Sequence, residues 1–289
     1  MTVDKAGYDP IPEVAAHWKS IVDGKVPFGY EVWNDEKRRK TMLKIENVEI
    51  HGWEPAIRGM RNPKNSWANS DSTNEENCDE CIYYADYTVC KYNPIHECLN
   101  FKAGPDDLEL MTRLCSAGTD HRKFMRMIVF YMDVTAPLYW WKEYDTYKVG
   151  TVGNSCSTMH KIAEKEFTLD DFSHEHLFHN VNNTEIWLNI DFPDVLNHTI
   201  FYLNKARELY IKTKDKRYWW QMIQLLPSSY NQRRTIMLNY EVLANIYKSR
   251  RNHKLDELHT FCDLIESLPY SELITGKKRK SEVNQNGNP

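Results

Sequence analysis

Apolar positions change their period several times along the chain, and the changes divide it into elements. Leu43, Ile45, Val48 and Ile50 stand among polar residues in imperfect alternation up to Trp53, the pattern of a half-buried strand. Arg58 to Trp67 (RGMRNPKNSW) reads as a polar loop broken by Pro63. From 106 to 117 the spacing turns helical, with Leu108, Met111, Leu114 and Cys115 on one face and Asp106 and Asp107 placed to cap the start. Phe124 to Val134 is a β-type run. Ala136 to Trp141 continues as an apolar, strand-like stretch and leads straight into a dense polar loop that ends near His160. Four helices are predicted in the C-terminal half: Val195 to Lys212, Arg217 to Leu226, Arg233 to Arg251 and Lys254 to Leu268. In the third, Ile236, Tyr240, Leu243 and Tyr247 recur at i, i+4, i+7 and i+11, which makes one apolar stripe belonging to a core.

The same pattern sets the domain expectation. Residues 1–43 carry two short apolar patches, Ile11 to Trp18 and Val26 to Trp33, parted by Gly24, and read as an extension packed on a main body at 44–270. Residues 271–289 form a tail in which Gly276 to Pro289 mixes Lys-Lys-Arg-Lys with Asn and Gln and has no apolar cluster, so it is read as disordered. At 289 residues, one domain with extensions is the prior. There is no internal repeat.

Charge and hydropathy remove several classes. With 37 basic against 41 acidic residues and a net charge of −4, nothing calls for a nucleic-acid partner. No run reaches the roughly 18 apolar residues of a membrane helix; the best attempt, Met127 to Trp141, contains Asp133. The start, Met-Thr-Val-Asp-Lys, lacks the basic-then-apolar pattern of a signal peptide, and seven cysteines, an odd number, point to reduced thiols, so a soluble cytoplasmic chain is expected.

Cys78, Cys81, Cys90 and Cys98 fall within 21 residues, in an insertion at 74–101, where even spacing of all seven would put roughly half of one. The CxxC pair suits two thiolates of a tetrahedral zinc site. The following x8-C-x7-C departs from a second CxxC, with His96 as a substitute ligand, and reduced cysteines in an exposed loop are the competing reading. His174, His176 and His179 crowd together without a carboxylate pattern and read as surface polar sequence. Cys156 reads as a small packing residue.

The stretch from Ala136 to His160 resembles the signature of flavin-dependent thymidylate synthases, in which an Ala-Pro-apolar strand leads, after a Gln, into RHRxxSxNExSxRY. Lys148, Thr151, Asn154 and Ser157 fit that pattern, with one residue inserted between Thr151 and Asn154. Glu143 stands where the Gln is expected, Thr146 and Tyr147 where Arg and His are, Ser155 where Glu is, Met159 where the later Arg is, and His160 where Tyr is. A second block follows in the family's order: Leu226-Pro227, then Asn239-Tyr240-Glu241 at the place of NAR, Arg250, and His253 to Glu257 at the place of HAQ and Glu. The resemblance runs from about Lys44 to Leu268. Glu241 replaces the Arg of NAR, Ile223 falls four residues before Pro227 where another Arg is common, and Arg126 falls where a Glu is usual.

The resemblance implies an α+β fold, a twisted antiparallel sheet with a helical bundle, assembled as a homotetramer. It implies an enzyme that transfers a one-carbon unit from methylene-tetrahydrofolate to a pyrimidine nucleotide, with FAD as cofactor and NADPH as reductant. By position, His121, Lys148, Thr151, Asn154, Asn239 and Arg250 are candidates to hold the cofactor, and Glu143, Tyr147, Ser155, Ser157, Thr158 and Glu241 to meet the nucleotide. No catalytic residue is singled out, because a hydride from flavin needs no protein nucleophile. The missing arginines put ordinary dUMP binding in doubt, since bidentate Arg is the efficient phosphate receptor. They leave two rivals: a nucleotide- or flavin-binding protein without dUMP methylation, and a scaffold kept as an interaction protein.

Overall fold

The computed structural model describes residues 42–74, 101–178 and 191–277, all within one compact unit, Thr41–Pro289. The expectations for residues 1–41, for the four clustered cysteines with His96, for His179 and for 278–289 lie outside the described residues.

A four-stranded antiparallel sheet in the order β1-β4-β6-β5 carries the fold: β1 (Lys44–His51), β4 (Val129–Pro137), β6 (Asn231–Asn239) and β5 (Val152–Ser155). A two-residue ladder, β2 (Thr73–Asn74) with β3 (Phe101–Lys102), stands apart. In β4 the period of two is strict. Phe130, Met132, Val134 and Ala136 are buried, while Val129, Tyr131, Asp133 and Thr135 face outward, as an antiparallel sheet with one covered face demands. In β6, Gln232, Ile236 and Leu238 are buried and Arg233 and Thr235 exposed.

Helices cover the inner face: α1 (Trp53–Arg61), α2 (Pro105–Ser116), α3 (Leu138–Tyr144), α7 (Tyr240–Arg250), α8 (Asp256–Ser267) and α9 (Glu272–Thr275). Gly52, at φ +95°, begins α1 because a Cβ there would meet the Met127 carbonyl oxygen at 2.1 Å. Trp53 stacks on Phe101 at 5.1 Å, and Trp140 on Tyr144 at 5.4 Å. Tyr139 reaches from α3 to Glu257 of α8 and lies 2.9 Å from the Ser173 hydroxyl. A second core lies between α5 (Phe192–Thr213), α6 (Lys216–Leu225) and the 162–172 segment, with Phe172, Leu203 and Met222 at its centre. The short helix α4 (Thr158–Lys161) lies against it.

Five expectations are corrected. Arg233 to Arg251 is not one helix: its first part is β6, and α7 begins at Tyr240. The Ile236-to-Tyr240 spacing of four fits a helix, yet Gln232, Ile236 and Leu238 alternate, and pairing on both sides decides for the strand. The β-type run starts later, since Lys123–Arg126 is a 3-10 turn. Leu138 to Tyr144 is helical because three aromatics on it, Trp140, Trp141 and Tyr144, fill the core, so strand and polar loop are separated by α3. Arg58 to Arg61 completes α1 rather than opening a loop. The body also runs past 270, where Leu273 and Ile274 are buried in the main core. Among the described residues no helix is long and apolar enough to cross a membrane.

Candidate functional site

Arg250, at the C-terminal end of α7, gathers the residues that follow α3. Its Nη1 lies 3.1 Å from Glu143 Oε2, its Nη2 donates to Thr146 Oγ1 at 3.3 Å, and its guanidinium stands 5.5 Å from the centre of the Tyr147 ring. His253 Nε2 is 3.8 Å from the same Glu143 oxygen. The Nε of Arg250 is buried with no hydrogen-bond partner among the described residues. An unsatisfied buried donor on a charged group is costly.

The next residues turn over the start of α7. Gly150 has φ +79°, a conformation that strains residues with a side chain, and a Cβ there would lie in tight contact, 3.2 Å, with Asn239 Nδ2 and Val242 Cγ2. Asn239 caps α7 by accepting from Val242 N at 3.0 Å. Thr151 donates its hydroxyl to the Tyr147 carbonyl at 2.5 Å, which closes the turn. Lys148 is exposed and has no carboxylate partner among the described residues. β5 follows as an edge strand with all four residues exposed, Asn154 opposite Thr235 and Ser155 opposite Arg234.

Beyond β5 the chain lines an open cleft of about 440 Å³. Ser157 caps α4 by accepting from His160 N at 3.2 Å, and it lines this cleft together with Thr158, Lys161, Lys165, Tyr230 and Arg233. Its cations are already neutralised: Lys161 by Glu164, Lys165 by Asp171, and Arg233 by Asp133 at 2.8 Å and Glu46 at 3.6 Å. Hydrogen bonds from Thr235, Arg233 and Asn47 hold the Asp133 carboxyl down to about 2. Cys156 is exposed at the same cleft instead of packed.

Glu241 is placed apart from this polar edge. It is 6% exposed and is held by Arg126 and by Arg122, whose Nε is 3.5 Å away. Burial alone would raise its carboxyl, but the Arg126 hydrogen bond and both guanidinium charges win and lower it. His121 lies exposed in the turn that follows Gly118. The structure thus brings together Glu143, Tyr147, Thr151, Asn239 and Arg250, sets Lys148, Asn154 and Ser155 open on the same stretch of chain, and puts Ser157 and Thr158 in the cleft. Sequence reasoning missed Arg122 and the Asp133–Arg233 pair. The signal for the pair was the lone acid inside the apolar run of β4.

The exposed Lys148 ammonium suits a group bearing phosphates, and the exposed Asn154 amide and Ser155 hydroxyl of β5 suit a polar ring. No nucleophile stands beside a base among these residues.

No protein-family model and no curated protein matches the chain. Solved structures do match. A flavin-dependent thymidylate synthase from Helicobacter pylori complexed with FAD and dUMP is 16% identical, with a TM-score of 0.53 over 81% of this chain and 98% of that one. A second structure of that enzyme with FAD and dUMP is 15% identical, with a TM-score of 0.50 over 82% and 98%. The chain has the flavin-dependent thymidylate synthase fold.

Proposed function

We propose that the chain is a flavin-dependent, thymidylate synthase-like enzyme that binds FAD along Lys148 to Asn154 and a pyrimidine nucleotide at Ser155 to Thr158. One observation carries this reading: Arg250 gathers Glu143, Thr146 and Tyr147 beneath an open polar edge and keeps one buried, unpaired donor there. Lys148 and Arg250 would hold the cofactor's phosphates, with Asn239 fixing the loop through the α7 cap. Asn154, Ser155, Ser157 and Thr158 would orient the nucleotide, and Glu143 and Tyr147 would border it. Reduced flavin, when bound, supplies the hydride that completes a methyl group. The carbon would come from methylene-tetrahydrofolate and the reducing power from NADPH. The Helicobacter pylori structures, solved with FAD and dUMP, support the pairing of these two ligands on this fold. A homotetramer working in the cytoplasm completes the proposal.

A second reading, nucleotide or flavin binding without dUMP methylation, is favoured by three of the positions that lack an expected arginine. Met159 is neutral, Ile223 packs against the second core, and Glu241 is sealed by two arginines. The assay separates the two. The chain is incubated with FAD, NADPH, methylene-tetrahydrofolate and dUMP, and the nucleotide product is analysed. Thymidylate supports the first reading; flavin binding with unchanged dUMP leaves the second.

A further inference from the structure

The cations of the cleft are neutralised by carboxylates, so a nucleotide phosphate at Ser157 and Thr158 needs another partner. α6 touches this loop from outside. Trp219 of α6 donates its Nε1 to the Met159 carbonyl at 3.2 Å, which fixes the first turn of α6 beside α4. That turn carries Lys216, whose ammonium lies 5.9 Å from the ring centres of both Trp219 and Trp220. The two indoles meet edge to face at 4.9 Å, and Trp220 is 43% exposed. The nearby carboxylate is taken: Asp215 binds Arg217 at 2.6 Å and caps α6 through Arg217 N at 2.8 Å. Lys216 is exposed and has no carboxylate partner among the described residues.

We infer that Lys216, held over the Trp219–Trp220 pair, is the phosphate-binding residue of the nucleotide site, in place of the charge that Met159 does not bring. This rests on the nucleotide reading above. A cation over an exposed aromatic ring is attracted weakly, whereas a charge-assisted hydrogen bond to a phosphate oxygen is stronger, so the ammonium leaves the rings for a phosphomonoester.

The test is calorimetry with dUMP and with deoxyuridine on the unaltered chain, Lys216→Met, Lys216→Arg and the control Lys212→Met. The unaltered chain binds dUMP more tightly than the nucleoside. Lys216→Met loses roughly tenfold or more in dUMP affinity and nothing for deoxyuridine, Lys216→Arg recovers most of it, and Lys212→Met matches the unaltered chain. Equal dUMP affinity in Lys216→Met, or an equal loss for dUMP and deoxyuridine, overturns the assignment while leaving the nucleotide reading in place. An unaltered chain that binds neither ligand overturns that reading, and this inference with it.

Discussion

Arg126 and Glu241 form an ion pair whose charges stand the opposite way round from those the family resemblance leads one to expect, with Arg before β4 and Glu at the start of α7. The exchange keeps the pair while moving its anion onto the first turn of a helix, where the dipole favours it. Arg122 joins from the same turn and also reaches Asn245 Oδ1 at 3.4 Å. Glu241 is therefore better explained as half of a structural pair than as a decayed phosphate receptor.

Glu241→Arg puts three guanidinium groups together, one of them buried, and lowers the melting temperature by roughly 5 to 10 °C. Arg126→Glu combined with Glu241→Arg restores a large part of that loss. Thermal unfolding of the two single variants and the double variant measures the coupling; simple additivity would show that the two side chains do not act as a pair.

Asp107 is 0% exposed and accepts from Arg61 Nε at 2.6 Å, from the Ser70 and Ser72 hydroxyls at 2.7 and 2.6 Å, and from two backbone amides. Burial would raise its carboxyl; the serine hydroxyls and Arg61 overcome this and lower it. Asp107→Ala strands Arg61 in the interior, a loss of about 3 to 5 kcal/mol. Denaturant unfolding shows the loss, and flavin affinity of the folded fraction stays unchanged, because these groups tie α1 to α2 away from the polar edge.

Asp133 gives a pH signature. Its carboxyl ionises at about 2 in the folded chain against an ordinary 3.8. A depressed folded value means stability that is fully present above 3.8 and is lost as pH falls through about 2; Glu241 and Asp107 have the same sign. Stability is therefore flat between pH 5 and 7 on account of these groups and falls below about pH 4. Asp133→Asn makes that acid slope shallower. An unchanged slope in this variant would show that the Thr235, Arg233 and Asn47 contacts do not stabilise the charged form.

Much of the fold was legible because burial writes a period into the chain. The β1 alternation and the Leu108 to Cys115 face are such periods, and α2, α5 and α6 lie where the sequence places helices, within a few residues. β6 was misread because Ile236 and Tyr240 satisfy a helical spacing by accident, and only its two neighbouring strands, distant in sequence, reveal it. α3 was missed because Leu138 to Trp141 run on as an unbroken apolar stretch from β4, and in seven residues the buried Trp140, Trp141 and Tyr144 make only one helical repeat. For the site, the resemblance pointed to Glu143, Tyr147 and Arg250, which the fold does bring together. It did not disclose that Asn239 and Thr151 spend their polar atoms on a cap and a turn, since such bonds depend on backbone directions that composition does not record.

The measurement that bears most directly on the account is the visible spectrum of the protein purified without added cofactor, followed by titration with FAD. The account predicts flavin bands or saturable FAD binding, weakened roughly tenfold or more by Lys148→Ala and by Arg250→Ala, each of which removes one cation from the phosphates. No flavin bands and no saturable binding, in a chain whose unfolding is cooperative, would contradict it.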